Sequence, residues 1–361
     1  MPATVENLSD REFKRILVVM LSRLGDVIFA LPTVAAIRRR FPSAHLAWIV
    51  EDRFQELLAG HPHLDELLVW PRAAFTAALR NGRWGTAVGH VRRLRQELRA
   101  RGFDLALDLQ ALAKSAFITW LSGAPVRLVS PSTHGPRELS WLVSVAIPSD
   151  TSSLQVVARN LAVARALGAE TSRPEFVLPI SPAAEAAAEE LLSEAGIKPL
   201  DRVVLVHPGA TWRSRRWSPV RYAELADALA RQHEARVAFV GAASDAAPVR
   251  EIQQRMRTPS VDLAGRTTLV QLAALIRRAD LYIGNDAGPL HLATALGTPT
   301  VGIYGPTDPR MAHTAVVRHP VPCGPCRYRT CGWMDCMKLV RVEEVLRLAS
   351  SQLEGRRVGG S

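Results

Sequence analysis

The sequence has few cysteines and no long apolar run. Its four cysteines all fall late in the 361 residues, at Cys323, Cys326, Cys331 and Cys336. Nothing earlier in the chain can pair with them, which excludes a scaffold built on disulfides. The longest apolar candidate, residues 139–147, is about half of the ~18–20 residues that a membrane-spanning helix needs. The polar N terminus does not look like a secretory signal peptide, so we expect a cytoplasmic protein.

Acidic residues are also in short supply. Asp and Glu number 34 against 45 Lys and Arg, which gives a formal charge of +11. Such a surplus either solvates the surface or favours anionic partners: nucleic acid, phosphorylated small molecules or an anionic membrane surface. Aromatic residues make up only 6%, and no recognised nucleic-acid module is present, so we do not expect nucleic acid as a partner. The remaining composition is that of a soluble globular protein, and the length suggests two domains.

Short apolar runs alternate with amphipathic stretches along the chain, which predicts parallel sheets with right-handed crossovers. The predicted strands are residues 16–21, 46–50, 104–109, 203–206, 236–240, 280–283 and 300–303. The predicted helices are residues 26–40, 91–101, 154–167, 183–195, 219–231, 246–257, 268–278 and 289–296. The tail, residues 354–361, is rich in Gly and Arg, and we expect it to be frayed.

A proline-rich break at residues 171–182 separates two similar α/β halves. We therefore predict an N-terminal domain over residues 1–178 and a C-terminal domain over residues 179–361. Both are expected to be Rossmann-like, with a ligand cleft between them at the carboxyl ends of the strands.

The first turn whose residues could take part in catalysis or binding follows the first predicted strand, at residues 22–26. Gly25 permits a tight turn, and Asp26 begins the next helix. Arg23 adds a cation beside that carboxylate, which suits an anionic substrate and a base. Asp is also a favourable residue in the first turn of any helix, so position alone leaves both interpretations open.

Two further turns have features of anion-binding sites. The segment 207–211 contains Gly209 and Thr211 and is followed by three arginines, which favours a phosphate-binding loop over a solvated one. The segment 284–291 places Pro289 at a helix start, where the N–H groups of Ala287 and Gly288 can point at an anion. It is not the GxGxxG dinucleotide fingerprint. A fourth turn, at 302–309, is by itself only a loop.

Five segments together resemble glycosyltransferase family 9, the ADP-heptose:lipopolysaccharide heptosyltransferases. They are SRLGDVIFALP at 22–32, DLALDLQALAKSA at 104–116, HPGATWRSRRWSP at 207–219, NDAGPLHLATALGTPTVGIYGPTDP at 285–309 and CGPCRYRTCGWMDCM at 323–337. The resemblance implies the GT-B fold, in which two Rossmann-like domains face a central cleft. It also implies inverting transfer of heptose from ADP-heptose to the inner core of lipopolysaccharide, either to Kdo or to the first heptose.

The resemblance also implies roles for particular residues, with Asp26 at the position of the family's general base. The residues implied for the donor ADP-heptose are Thr211, Arg215, Asp245, Asp286, Ala287, Gly288 and His291. The residues implied for the acceptor, which is polyanionic, are Arg23, Arg72, Gln110, Lys114 and Arg137. Relatives often have lysine near Arg215 and a hydroxyl residue where this chain has Ala287. No metal is implied for the transfer.

Two features point beyond the sugar chemistry. The spacing CxxC-x4-C-x4-C of Cys323, Cys326, Cys331 and Cys336 could close around a structural metal, although a reduced, packed loop is the default. The arginine-rich helix 91–101 could meet anionic lipid headgroups, or it presents an ordinary solvated face. With Kdo2-lipid A or heptosyl-Kdo2-lipid A as acceptor, we expect peripheral association with the cytoplasmic face of the inner membrane.

Alternative functions remain open at this stage. A family-9 enzyme can act on a protein or another glycan instead of lipopolysaccharide. A sugar-nucleotide epimerase with a GT-B-like fold shares the two-domain plan, but it needs no basic acceptor site. A non-catalytic nucleotide- or nucleic-acid-binding protein is motivated only by the net charge, and salt-sensitive binding of nucleic acid without affinity for ADP would favour it.

Overall fold

The chain consists of two compact units, Met1–Pro179 and Ile180–Ser361. The computed structural model describes residues 8–130, 145–146, 156–309, 315–326 and 328–358. Arg137, one of the predicted acceptor residues, lies outside them. Within these residues, no helix is both long and apolar enough to cross a lipid bilayer.

The first unit is a parallel sheet flanked by helices, with the strand order β3-β2-β1-β4-β5-β6 in the described residues. Its strands are β1 (Arg15–Val19), β2 (His45–Glu51), β3 (Glu66–Trp70), β4 (Leu105–Asp108), β5 (Val126–Val129) and β6 (Val145–Ala146). Its helices are α1 (Leu24–Arg40), α2 (Gln55–Leu58), α3 (Arg72–Arg80), α4 (Trp84–Ala100), α5 (Ala113–Leu121) and α6 (Val156–Ala166). Helix α1 packs against α6, and apolar side chains from 27 to 37 bury most of its surface.

The second unit repeats the plan with the order β12-β11-β10-β7-β8-β9 among its described residues. Its strands are β7 (Val203–His207), β8 (Arg236–Phe239), β9 (Val261–Asp262), β10 (Leu281–Asn285), β11 (Thr300–Ile303) and β12 (Ala315–Val317). Its helices are α7 (Pro182–Glu194), α8 (Pro219–His233), α9 (Ala246–Gln253), α10 (Leu269–Arg278), α11 (Gly288–Ala295), α12 (Asp335–Lys338) and α13 (Val342–Val358).

Local sequence explains why these helices begin where they do. The side chain of Ser181 caps α7 and is followed by proline in the first turn. Thr268 and Gln271 form a reciprocal capping box at α10. At α11, Gly288 and Pro289 open the helix, so a residue without an N–H group occupies a position that needs none.

Several predicted boundaries were wrong. Helix α4 begins at Trp84, seven residues before the predicted start, although Gly85 and Gly89 are poor helix formers. Strand β10 runs to Asn285, two residues beyond the prediction. The predicted frayed tail covers residues 354–361, of which 354–358 are helical in α13 and 359–361 lie outside the described residues.

The strand order places a topological switch point in each unit. In the first unit it lies between β1 and β4, and in the second between β7 and β10, because the chain leaves these neighbouring strands in opposite directions across the sheet. Open α/β sheets bind ligands outside the carboxyl ends of strands at such points. Three of the turns singled out in the sequence follow β1, β7 and β10, and the fourth follows β11.

Candidate functional site

The turn after β1 positions Asp26 in the first turn of α1. Arg23, just before the helix, has a φ of +62° and places its Nε 3.2 Å from Asp26 Oδ2. The Asp26 side chain is 29% exposed. Arg159 of α6 lies nearby, and its pKa is lowered by burial against the opposing effect of the Asp26 charge. The structure therefore provides a carboxylate that solvent reaches, with guanidinium groups close to it.

Gln110 fixes the shape of this turn from the neighbouring strand. Its Nε2 donates to the carbonyl oxygen of Ser22 at 2.9 Å and to Ser22 Oγ at 3.0 Å, and its Oε1 accepts from the Leu21 amide at 3.2 Å. Gln110 is itself held by Asp108, whose Oδ1 accepts from the amides of Gln110 and Ala111. The side-chain amide that was predicted to contact the acceptor thus bonds across the switch point between β1 and β4.

Glu51 gathers three cations beside the same turn, and sequence reasoning did not find it. Its carboxylate, at the end of β2, is fully buried and lies 2.9 Å from Arg53 Nη2, 3.1 Å from Arg72 Nη1 and 2.9 Å from Lys114 Nζ. Lys114 also donates to Ser22 Oγ. Burial lowers the pKa of Lys114, and Glu51 opposes that shift.

We call Glu51, Arg53, Arg72 and Lys114 the Glu51 cluster. It brings together two of the predicted acceptor residues, Arg72 and Lys114, and adds Arg53. The three cations exceed the one carboxylate, so the cluster is positive overall and its partly exposed side chains suit an anionic ligand. The only sequence signal for Glu51 was a charged residue closing an apolar strand.

In the second unit, Asp286 lies between β10 and α11 among groups from two loops and from α11 itself. Arg215 Nη1 lies 3.0 Å from its Oδ2, Thr307 Oγ1 donates to Oδ2 at 2.6 Å, and His291 Nε2 lies 3.5 Å from Oδ1. Burial raises the pKa of Asp286, but His291 and Arg215 outweigh it, so the net pKa is below its ordinary value. Arg215 is further fixed by stacking 4.0 Å from the Trp212 ring centroid.

Two of the predicted anion-binding residues, Ala287 and Gly288, directly follow Asp286. Ala287 precedes α11 with extended backbone, and Gly288 is the first residue of the helix, so the helix N terminus is beside Asp286. Thr211 is exposed on the loop that leads to Arg215. The arrangement places the Arg215 cation, the N terminus of α11 and the Thr307 hydroxyl around one buried carboxylate, which together can bind a diphosphate and a polyhydroxylated group.

Asn285 holds the loop after β7 against β10. It is fully buried, and its Nδ2 donates to the carbonyl oxygen of Pro208 at 2.7 Å. Its Oδ1 accepts from the Trp217 amide at 3.2 Å and from the Tyr222 hydroxyl at 3.0 Å. Every polar atom of this side chain therefore stabilises the loop that presents Thr211 and Arg215.

Asp245 lies beneath two glycine turns. A Cβ atom on Gly209 or on Gly241 would come within 2.8 Å of its carboxylate, so only glycine fits at these positions. Its Oδ2 accepts from the Ala242 amide at 3.0 Å and lies 3.7 Å from His207 Nε2. His207 lowers the pKa of Asp245, against the effect of burial. Asp245 was predicted to contact the nucleoside, and in the structure it is a buried residue that supports both turns.

The cysteine segment supports the loops of the second unit. The Cys326 amide donates to the Pro306 carbonyl oxygen at 2.7 Å, and Ser214 Oγ donates to the Tyr328 carbonyl oxygen at 2.6 Å. The segment therefore contacts both the loop of Thr307 and the 3₁₀ turn of Arg215. The four cysteines are free thiols, and burial raises the pKa of Cys336. Among the residues that the structure describes, no three His, Cys, Asp or Glu side chains are placed to share a metal.

Two Rossmann-like units, one with a carboxylate beside cations and the other with an arginine at a helix N terminus, match the GT-B class of glycosyltransferases. The chain belongs to glycosyltransferase family 9 (heptosyltransferase), whose model matches residues 91–333, about two thirds of the sequence. Asp26 and Glu51 lie before the matched region. The predicted family, fold class and enzyme class are confirmed.

Individual relatives agree with this assignment. The chain is 29% identical to lipopolysaccharide heptosyltransferase 1 of Pseudomonas aeruginosa, over 95% of this chain and 96% of the relative. It is 27% identical to lipopolysaccharide heptosyltransferase 3 of Escherichia coli, over 79% and 81%. The solved structure of E. coli ADP-heptose lps heptosyltransferase II has a TM-score of 0.75 at 24% identity, covering 95% of this chain and 99% of that one. The structural likeness concerns the fold.

Proposed function

We propose that this enzyme transfers heptose from ADP-heptose to the inner core of lipopolysaccharide with inversion at the anomeric carbon. The observation that carries the proposal is the Arg215–Asp286 pair at the N terminus of α11. The names of the relatives above support the identity of the donor sugar and the acceptor class. Membership in a transferase family also favours transfer over the epimerase alternative.

The second unit is the proposed donor site. The diphosphate of ADP-heptose binds near Arg215, Thr211 and the N–H groups of Ala287 and Gly288, and it leaves as ADP. Positive potential from Arg215 and from the helix dipole stabilises the negative charge that develops on the leaving group. Asp286, oriented by His291 and Thr307, accepts hydrogen bonds from heptose hydroxyls. Asp245 has a supporting role, because it holds the glycine turns that approach the nucleotide.

Asp26 of the first unit is the proposed general base. It takes the proton from the acceptor hydroxyl, whose oxygen forms a bond to the anomeric carbon while the bond from that carbon to the phosphate oxygen breaks. Inversion follows because attack and departure occur on opposite faces, through a transition state with oxocarbenium character. The partial exposure of Asp26 suits a group that must meet a second substrate.

The Glu51 cluster and Arg23 are the proposed binding groups for the acceptor's carboxylates and phosphates. Guanidinium groups bind these anions through two parallel hydrogen bonds, which gives geometric selectivity in addition to charge. Arg137 and Gln110 remain predicted acceptor residues, Gln110 through the turn that it holds. The acceptor is Kdo2-lipid A or heptosyl-Kdo2-lipid A, reached from the cytoplasmic face of the inner membrane, and nucleic acid is not a partner.

A transfer assay tests this proposal and identifies the acceptor. The purified protein is incubated with ADP-heptose and either Kdo2-lipid A or its heptosylated product, and ADP release and product mass are followed. Transfer to Kdo2-lipid A makes it a first-heptose transferase, and transfer only to the heptosylated acceptor makes it a second-heptose transferase. Binding of ADP-heptose without transfer to either acceptor indicates a protein or another glycan as acceptor. No binding of ADP-heptose would overturn the donor assignment.

The same assay with and without EDTA examines the cysteine segment. Transfer that is unchanged by the chelator is expected, because the donor groups named above are side chains and backbone N–H groups. A loss of activity restored by a particular metal would instead support the alternative in which Cys323, Cys326, Cys331 and Cys336 bind one.

A further inference from the structure

Helix α4 exposes apolar and basic side chains along a single face. Trp84, Val88, Arg92, Arg95 and Arg99 follow one another at intervals of three or four residues, so they lie within ~80° around the helix axis. Trp84 is 67% exposed and Val88 47% exposed. The helix buries a different face, formed by Ala87, Leu94 and Leu98. An exposed tryptophan at the start of an arginine-rich face is not needed for packing within the unit.

Helix α5 also exposes apolar side chains. Phe117 and Trp120 stack with ring centroids 6.0 Å apart, and both remain more than a third exposed, as does Leu112 before the helix. The two helices are neighbours. A Cβ atom placed on Gly123, two residues after the end of α5, would lie 3.5 Å from Arg99 Cγ of α4. We call Trp84, Val88, Leu112, Phe117, Trp120 and the three arginines of α4 the α4–α5 surface.

The distribution of exposed apolar side chains sets this surface apart. Among the described residues, the large exposed apolar side chains of the first unit are all on or next to α4 and α5, namely Trp84, Val88, Leu112, Phe117 and Trp120. Isolated exposed apolar residues are ordinary, whereas a cluster edged by charge is typical of an interaction site. Helix α4 carries four arginines and a single glutamate, so the partner that complements it is anionic.

An anionic bilayer surface matches both the apolar and the basic side chains of the α4–α5 surface. Tryptophan and phenylalanine partition into the boundary between headgroups and acyl chains, and aliphatic Val88 and Leu112 add apolar area there. Arginines beside them contact headgroup phosphates, and their long side chains can bury apolar stems while the guanidinium stays among the headgroups. A nucleic acid would use the arginines but would leave the aliphatic side chains exposed.

We propose that the α4–α5 surface binds peripherally to an anionic lipid bilayer. Trp84, Val88, Phe117 and Trp120 enter the headgroup–acyl boundary, and Arg92, Arg95 and Arg99 bind lipid phosphates. The inference rests on the proposed function in one respect, the delivery of a lipid-linked acceptor. Lys114 of the Glu51 cluster is on α5, one turn before Phe117, so docking through α5 brings the acceptor site to the membrane surface.

Co-sedimentation with vesicles tests the proposal without any sugar substrate. The full chain is mixed with vesicles of phosphatidylcholine containing phosphatidylglycerol, and with vesicles of phosphatidylcholine alone. We expect binding to the anionic vesicles that weakens with salt. The double variant Arg92→Glu/Arg95→Glu should lower the bound-to-free ratio by about tenfold or more, since each basic residue near the surface contributes ~1 kcal/mol. Trp84→Ser/Val88→Ser should have an effect of similar size, since the apolar area that the two side chains bury in the bilayer is lost.

The chain offers matched controls for both changes. Arg93 is exposed on a different side of α4, so Arg93→Glu makes the same charge reversal away from the proposed face. Trp333 in the second unit is 78% exposed, so Trp333→Ser removes a comparable aromatic side chain elsewhere. Both controls should change vesicle binding less than twofold. Equal losses in the single variants Arg93→Glu and Arg92→Glu would overturn the proposal, because net charge alone would then explain binding.

Two further readouts separate this inference from the proposed function. Transfer to an acceptor without acyl chains should be unchanged in both double variants, while transfer to vesicle-embedded acceptor should fall with vesicle binding. If wild-type protein binds anionic vesicles but transfers no heptose, the proposed function fails and the docking surface stands. Unchanged vesicle binding by both double variants overturns the surface. A change of oligomeric state on size exclusion, without a change in vesicle binding, would assign the same surface to a second copy of the chain.

Discussion

The two units share a strand order and place an amide side chain at the same point, yet they surround it differently. Gln110 after β4 donates to the Ser22 carbonyl oxygen after β1, and Asn285 at the end of β10 donates to the Pro208 carbonyl oxygen after β7. Around Gln110 stand long, partly exposed cations on the buried carboxylate of Glu51. Around Asn285 stand glycine turns and a buried polar cluster on Asp286. Topology fixes where a site forms, and side-chain size and charge fix what binds there.

The two sites differ most in the exposure of their carboxylates, Asp286 and Asp26. The Asp286 side chain is 11% exposed and is contacted by groups from two loops and from α11, whereas the Asp26 side chain is 29% exposed next to an exposed arginine. A carboxylate with several fixed partners suits ligand orientation, because its geometry is preorganised. A more accessible carboxylate suits proton transfer, because its reacting partner arrives with the second substrate.

Exchanging each carboxylate for its amide should separate these roles with the largest effect. Asp26→Asn is expected to lower kcat about 10²- to 10⁴-fold, the usual contribution of a general base, with the Kd for ADP-heptose unchanged. Asp286→Asn is expected to weaken ADP-heptose binding. Single-turnover kinetics and calorimetric titration measure the two quantities. Retained turnover in Asp26→Asn would remove it as the base.

Replacing the two side-chain amides, those of Asn285 and Gln110, with alanine should lower the stability of the protein by unequal amounts, because the two residues are not equally buried. Asn285→Ala leaves the Trp217 amide, the Tyr222 hydroxyl and the Pro208 carbonyl oxygen without a buried partner, so we expect a loss of about 2–4 kcal/mol in the free energy of unfolding. Gln110 is only partly buried, so Gln110→Ala should lower the free energy of unfolding by about 1 kcal/mol. Denaturant unfolding of both variants measures the difference. Equal losses would contradict the ranking.

The sequence pattern located the turns after β1, β7 and β10 because they combine glycine, proline or charge directly after apolar runs. The roles of Asp26, Arg215 and Asp286 came from the resemblance to family 9, and they stay predictions. Strands β3 and β5 were missed because each is short and includes a charged residue, so periodicity gives little signal. Which distant residues pair could not be predicted either, because the contact of Glu51 with Lys114 spans 63 positions and depends on the folded sheet.

Removing the donor-site cation should have the next largest effect. Arg215→Ala is expected to weaken ADP-heptose binding by about ten- to hundredfold, since a charge-assisted hydrogen bond contributes ~1.5–3 kcal/mol. Arg215→Lys should recover part of that loss, because it restores the charge without the planar geometry. Arg213→Ala, in the same 3₁₀ turn but exposed, is the matched control. Affinity in Arg215→Ala equal to that of the control would discard Arg215 as a donor ligand.

Neutralising the buried carboxylate of the first unit tests whether its cations need a common anchor. Glu51→Gln keeps hydrogen-bond acceptor capacity but leaves Arg53, Arg72 and Lys114 without the charge that holds them together, so mutual repulsion should disperse them. We expect the KM for the acceptor to rise about tenfold, the size of one charge-assisted hydrogen bond, with kcat and the Kd for ADP-heptose unchanged.

The exposed Glu97→Gln, on α4, makes the same chemical change without a cation cluster and should behave as wild type. Thermal unfolding of both variants distinguishes positioning from support of the fold. A fall in Tm with kcat and KM both altered would mean that Glu51 only stabilises the unit. A selective rise in the acceptor KM would mean that the first unit binds its ligand through cations arranged in advance by one buried charge, where the second unit relies on buried loops and a helix N terminus.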